Sequence, residues 1–152
     1  MNEAELCSTA LQGPSFKFMR KLFITSTSIQ DDVRHWLKES IGALTAHQHF
    51  ILCLVTNEVI QNVVRYVYHK ETGKDIHISI STNKEGFYIV SIQDYGSPCQ
   101  PDQFLNVAHQ PSENGGMGIA IIKKNTKKFT IIANNEGNLA QFLFDPSSVM
   151  PE

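Results

Sequence analysis

The sequence predicts an α+β fold, a two-layer α/β sandwich in which one mixed, mostly antiparallel sheet carries helices on one face. Three observations predict it. Residues 76–80 and 87–92 alternate apolar and polar and are joined by a short turn at 83–86. Residues 129–133 and 139–144 repeat that arrangement across 134–137. Between the first strand and these hairpins lies a long apolar helical pattern, which must be buried against a sheet.

The elements follow in order. Phe16, Phe18, Leu22 and Ile24 sit at even spacing and predict a half-buried strand over 16–25. Ser28 followed by Asp31 reads as a helix N-cap with an acid at the third position. Ile29, Val33, Trp36, Leu37 and Ile41 then recur at helical spacing, and Gly42 is placed to end that helix. Over 47–69, Leu52, Val55, Val59, Val63 and Val67 give one face of the long helix, and Ile51, Leu54 and Ile60 widen it. Ile76, Ile78 and Ile80 alternate with His77 and Ser79 as a strand. From Asp94 to Gly115 the chain reads as a long loop with one helical turn over 102–107; a loop of that length in a compact domain usually has a function or lacks order. A helix is predicted over 117–125. Residues 1–15 read as a flexible leader, 16–145 as the single folded domain, and 146–152 as a tail.

Bulk properties narrow the function. The chain has 152 residues, 41% hydrophobic and 18% charged, with a formal net charge of -2. No broad basic face is expected, which argues against nucleic acid as a partner. Cys7, Cys53 and Cys99 are odd in number, and neither they nor the His47, His49 and Cys53 group has metal-site spacing. No apolar run approaches a membrane span of about 20 residues, and the acidic N-terminus is unlike a signal peptide. The expectation is a soluble, cytoplasmic protein without a membrane association.

Three polar motifs carry the chemistry. Glu58 and Asn62 are four residues apart on the apolar helix and share a face, which Tyr66 continues. Such groups either bond to a neighbouring loop or face a cleft. In a cleft, Asn62 offers an oxygen to Mg²⁺ beside substrate phosphates, and Glu58 takes a proton from an attacking hydroxyl or water. Asp94 ends a strand and Gly96 follows it: a plain turn, or an acceptor for an exocyclic base amine beside a residue with no Cβ to obstruct a flat ring. Gly115, Gly116, Met117 and Gly118 open a helix, where free backbone N–H groups suit a phosphate chain, or act as a loop hinge.

The order of these motifs resembles the GHKL ATPases, the gyrase, histidine kinase and MutL relatives with a Bergerat ATP-binding fold, and among them the short bacterial anti-sigma factor serine/threonine kinases. The resemblance covers about residues 16–145. Thr56-Asn57-Glu58-Val59-Ile60-Gln61-Asn62 looks like the N box, Ile92-Gln93-Asp94-Tyr95-Gly96 like the first glycine box, and Gly115-Gly116-Met117-Gly118-Ile119 like the second, with 97–114 as the ATP lid. The resemblance implies ATP and Mg²⁺ as cofactors. It makes Glu58 the general base, Asn62 the metal ligand, Asp94 the adenine reader, and Gly116 and Gly118 phosphate contacts. Tyr66, Gly96, Gly115 and Met117 complete the implied nucleotide site. It also implies transfer of the γ-phosphoryl to a small anti-anti-sigma (STAS-type) partner, binding of a sigma factor, and a homodimer. The chain departs from the family at Tyr66, where a His or Lys is frequent, at Asn114, where a basic residue often precedes the second glycine box, and at Gly137-Asn138-Leu139-Ala140, which replaces a Gly-x-Gly-Thr element. No Lys or Arg lies between Ser97 and Ile122. The alternative is a catalytically weak or inactive module that sequesters a protein partner through a surface such as the first helix around Trp36.

Overall fold

A computed structural model describes residues 18–98 and 116–149. The leader, Gly115, the expected helical turn over 102–107 and most of the lid lie outside the described residues. For Gly116 and Met117 only their place in a helix is described.

The chain runs β1 (Met19–Ile24), α1 (Ile29–Ser40), α2 (Ala46–Asn62) continued by a π-helical turn (Val63–Val67), β2 (Asp75–Thr82), β3 (Tyr88–Asp94), α3 (Gly116–Asn125), β4 (Lys128–Ala133) and β5 (Asn138–Phe144). The five strands lie in the order β1-β2-β3-β5-β4. All four described pairings are antiparallel, so the expected mixed sheet is antiparallel throughout its described part. The two hairpins form as the sequence predicts. The unanticipated move is that β5 pairs on its other side with β3, which puts it inside the sheet.

Alternation assigns each face. Ile76, Ile78 and Ile80 lie opposite Asp94, Ile92 and Val90 of β3. Those in turn lie opposite Asn138, Ala140 and Phe142 of β5. These apolar side chains form one core with Val33 and Leu37 of α1, Leu52, Val55, Val59 and Ile60 of α2, and Ile119 and Ile122 of α3. Full burial of each such side chain contributes about 1.5–3 kcal/mol. Because side chains alternate across a strand, Asp94 and Asn138 fall on the helix-covered face although both are polar. The opposite face carries Ser79, Ser91, Gln93 and Gln141, and Gln141 Nε2 donates to Ser91 Oγ at 2.9 Å.

Local chemistry explains the helix ends. Ser28 precedes α1 as expected, but its side chain caps no backbone N–H; its hydroxyl donates to Asp32 instead. A full capping box opens α2: Gln48 N donates to Thr45 Oγ1 at 3.1 Å, and Thr45 N donates to Gln48 Oε1 at 2.8 Å. The helix predicted over 47–69 is regular only to Asn62. It then widens into the π turn, with Tyr68 N donating to Val63 O, and ends where His69 and Lys70 take left-handed φ values of 51° and 66°. The span Ala46–Val67 has 22 residues and a mean hydropathy of 1.2, enough by length and composition to cross a membrane. By that measure the expectation of no span-length apolar run is not met; half of the stretch is buried inside the domain. Trp36 is half-buried and meets the Phe23 ring edge-on at 5.5 Å, so it is tied into the β1–α1 packing. Beyond β5, Pro146–Ser148 form a turn capped by Asp145, and Val149 packs on the core.

Candidate functional site

The polar motifs meet where the C-terminal end of α2 faces the end of β3 and the start of β5, with α3 packed against α2 at Glu58. Asp94 is the last residue of β3, and its cross-strand partner on β5 is Asn138. That register sets two donors against one carboxylate oxygen: Asn138 N at 3.2 Å and Asn138 Nδ2 at 3.0 Å both donate to Asp94 Oδ1. Gly96 N adds a third at 3.0 Å. Asp94 is 1% exposed. Burial pushes its carboxyl above the usual carboxylate range, and the bonds from Gly96 and Asn138 oppose that rise without cancelling it. The result is a carboxylate of fixed orientation, with these three donors on one oxygen.

Asn62 shares a wall with this group. Val59, Asn62, Val63, Val67, Asp94, Phe129, Ile131, Asn138 and Ala140 line one small cavity of ≈ 10 Å³, about the room one water takes. Asn62 is 4% exposed, and among the described residues its Nδ2 has no hydrogen-bond partner; Asn57 Oδ1 on the same helix is also buried without one there. Leaving a buried polar atom unpaired costs about 1–3 kcal/mol. Three lie on this helix, with His49 Nδ1 the third, and two of them flank Glu58; each calls for an explanation other than packing.

Glu58 is half-buried and lies against α3. A Cβ at Gly118 would overlap Glu58 Oε2 and stand 3.4 Å from its Cδ. Gly118 therefore sits in direct contact with the carboxylate that the N box supplies. Gly96 is equally constrained, since a Cβ there would overlap Val67 Cγ1 and come 3.3 Å from Tyr68 Cε1.

The structure thus brings Glu58, Asn62, Asp94, Gly96 and Gly118 into one region. Tyr66 lies in the π turn that continues α2 and is partly buried against the core. Gly116 and Met117 open α3 as expected. Among the described residues no cluster of His, Cys, Asp and Glu suits a metal, and Cys53 is buried, with burial raising its thiol.

Two residues escaped the sequence reading. Asn138 falls at the unspecified position of the Gly-x-Gly-Thr element, and only the β3–β5 register reveals that it braces Asp94; its Nδ2 also donates to Ser97 O, at the start of the lid, at 2.9 Å. Tyr68 follows the π turn and ties three elements together. Its hydroxyl donates to Asp75 O at 2.6 Å and accepts from Tyr95 N at 2.8 Å, while its ring backs Gly96.

The class that this sheet, helix layer and site define is the GHKL ATP-binding domain. Residues 25–143 match the family described as the histidine kinase-like ATPase domain, and the chain belongs to that family. Among solved structures it is similar to the histidine kinase domain from the Erythrobacter litoralis EL346 blue-light activated histidine kinase. The TM-score is 0.52 at 10% identity, over 79% of this chain and 60% of that one, a likeness of fold. The chain therefore spans about 60% of that relative's length. No curated protein matches the chain in sequence.

The residues present fit a magnesium nucleotide. Asn62 holds an unpartnered buried amide, and a half-turn of that amide presents its oxygen at the same point. Gly96 leaves no Cβ beside Asp94, and the first turn of α3 has its N–H groups free of intrahelical partners.

Proposed function

We propose that this domain is an anti-sigma-factor-like serine/threonine protein kinase, using Mg·ATP to phosphorylate a small anti-anti-sigma (STAS-type) partner. The observation that carries the reading is the position of Glu58: an intact carboxylate on the N-box helix, in contact with the glycine helix that would receive the phosphates. In that reading Asp94 accepts the adenine amine, held in aim by Asn138 and Gly96. Asn62 holds the cation, whose charge offsets the negative charge of the phosphates when bound. Gly115, Gly116 and Met117 line the phosphate chain, Gly118 lies against Glu58, and Tyr66 flanks the site. Glu58 takes the proton of the attacking hydroxyl as that oxygen bonds to the γ-phosphorus; the bond to the bridging oxygen breaks, and ADP leaves with the electron pair. A sigma factor as second partner, a homodimer and a cytoplasmic setting belong to the same proposal.

Calorimetric titration with ATP, with and without Mg²⁺, tests it first. Micromolar, Mg²⁺-dependent binding that Asp94→Asn destroys supports the site; a folded protein giving no heat removes the kinase reading. Glu58→Ala is expected to abolish transfer while leaving ATP affinity within about threefold.

A second reading has a specific observation behind it. The lid has no Lys or Arg from Ser97 to Ile122, and Ala140 stands in place of the family threonine. A missing cation removes transition-state stabilisation. The alternative is therefore an inactive module that sequesters a partner. Its docking surface would be one such as the first helix around Trp36, which stays partly exposed beside Phe23. Partner binding indifferent to ATP and to Asp94→Asn is its signature.

A further inference from the structure

We infer that Gly118 is a positioning residue for the base: its missing side chain is the space in which the Glu58 carboxylate lies. The inference rests on the kinase reading for Glu58, and it assigns Gly118 a role distinct from contact with phosphate.

The backbone gives no other reason for glycine here. Gly118 lies inside α3 and does not take a left-handed φ, so any residue could adopt its conformation. Nor, among the described residues, does the packing around it demand glycine for another reason: the atoms within 4 Å of a Cβ built at Gly118 are both from Glu58, namely Oε2 and Cδ. At Gly137 the corresponding obstacle is the backbone of Asp94 and Tyr95, which cannot yield. At Gly118 it is the far end of one flexible side chain. A methyl group there is accommodated by moving the carboxylate, leaving the fold intact. Substitution at this position therefore displaces the base selectively. A displacement of about 1 Å in a reacting group costs on the order of a hundredfold in rate.

The residue acts through Glu58. Asp, one methylene shorter, withdraws its carboxylate from the space the new methyl would occupy. The effect of Gly118→Ala should thus shrink in a Glu58→Asp background, as expected for two groups in contact.

The experiment compares wild type, Gly118→Ala, Glu58→Asp and the double variant. It measures ATP hydrolysis turnover, ATP affinity by calorimetry, thermal unfolding, and the ¹³Cδ resonances of the glutamates in labelled protein. The expected result for Gly118→Ala is turnover lower by about a hundredfold, with ATP affinity within about threefold and the unfolding temperature little changed. The Glu58 resonance shifts while that of Glu71 does not, and Gly118→Ala adds little loss on top of Glu58→Asp. ATP affinity that collapses with Glu58 unshifted would overturn the inference, because Gly118 would then serve phosphate approach. Unchanged turnover and an unmoved Glu58 resonance would overturn it as well. Failure of the kinase reading looks different: Glu58→Ala would retain full turnover. The resonance readout decides the contact even in a protein that turns over no ATP.

Discussion

Asp94 holds a carboxylate in a nearly dry pocket, and the sign of its titration follows. Its folded pKa is raised above the unfolded value. Between those two values the native state holds the proton and the unfolded state does not, so stability falls as pH rises through that window. Nucleotide binding runs the other way, because the ionised group is the better acceptor for a base amine. ATP affinity measured by calorimetry is thus expected to decline on acidification through the raised pKa while the Asp94 contribution to stability improves. Asp94→Asn should flatten both dependences and keep the unfolding temperature at or above that of wild type while binding is lost. Asn138→Ala removes the side-chain bond that opposes the rise in Asp94. It should cost about 1–3 kcal/mol of stability and shift the binding midpoint to higher pH. A midpoint that stays in place would show that Asn138 does not brace the carboxylate.

Among the elements, the junction between the π turn and β3 decides how the base pocket is shaped. Val67 and Tyr68 back Gly96 so closely that a Cβ cannot enter. Gly96→Ala is expected to destabilise the fold by about 1–3 kcal/mol, as overpacking does, and to weaken ATP binding. Val67→Ala opens space at that contact, so the double variant should recover part of both losses, a coupling of about 0.5–3 kcal/mol in a double-mutant cycle. Strictly additive losses would place the strain elsewhere. Tyr68→Phe should release the Tyr95 amide and speed its hydrogen exchange. The hairpins, the apolar helix and the three motifs were legible in the sequence because periodicity and turn residues are local signals. The π turn was not, since Val63, Val67 and Tyr66 fit an unbroken helix equally well. Asn138 was not, because its meaning comes from pairing with a residue 44 positions away. The Thr45–Gln48 capping box is a local signal and so was legible in principle.

For the whole molecule, a ligand that binds only the folded state adds to its stability by mass action. ATP at a hundred times its Kd should stabilise wild type by about 2.7 kcal/mol. Glu58→Ala should show the same gain and Asp94→Asn none, checked by thermal unfolding with and without Mg·ATP. Equal gains in wild type and Asp94→Asn would mean that ATP binds away from this site.

The strand order has a consequence for how the protein is made. β5 is the last described strand to leave the ribosome, yet it is inserted between β3 and β4. Until it arrives, β3 and β4 each present a bare edge, and Asp94 lacks Asn138. A nascent chain halted before Asn138 therefore exposes two sticky rims and cannot read a nucleotide. Synthesis must run almost to the end of the domain before the product is either safe from aggregation or competent to bind.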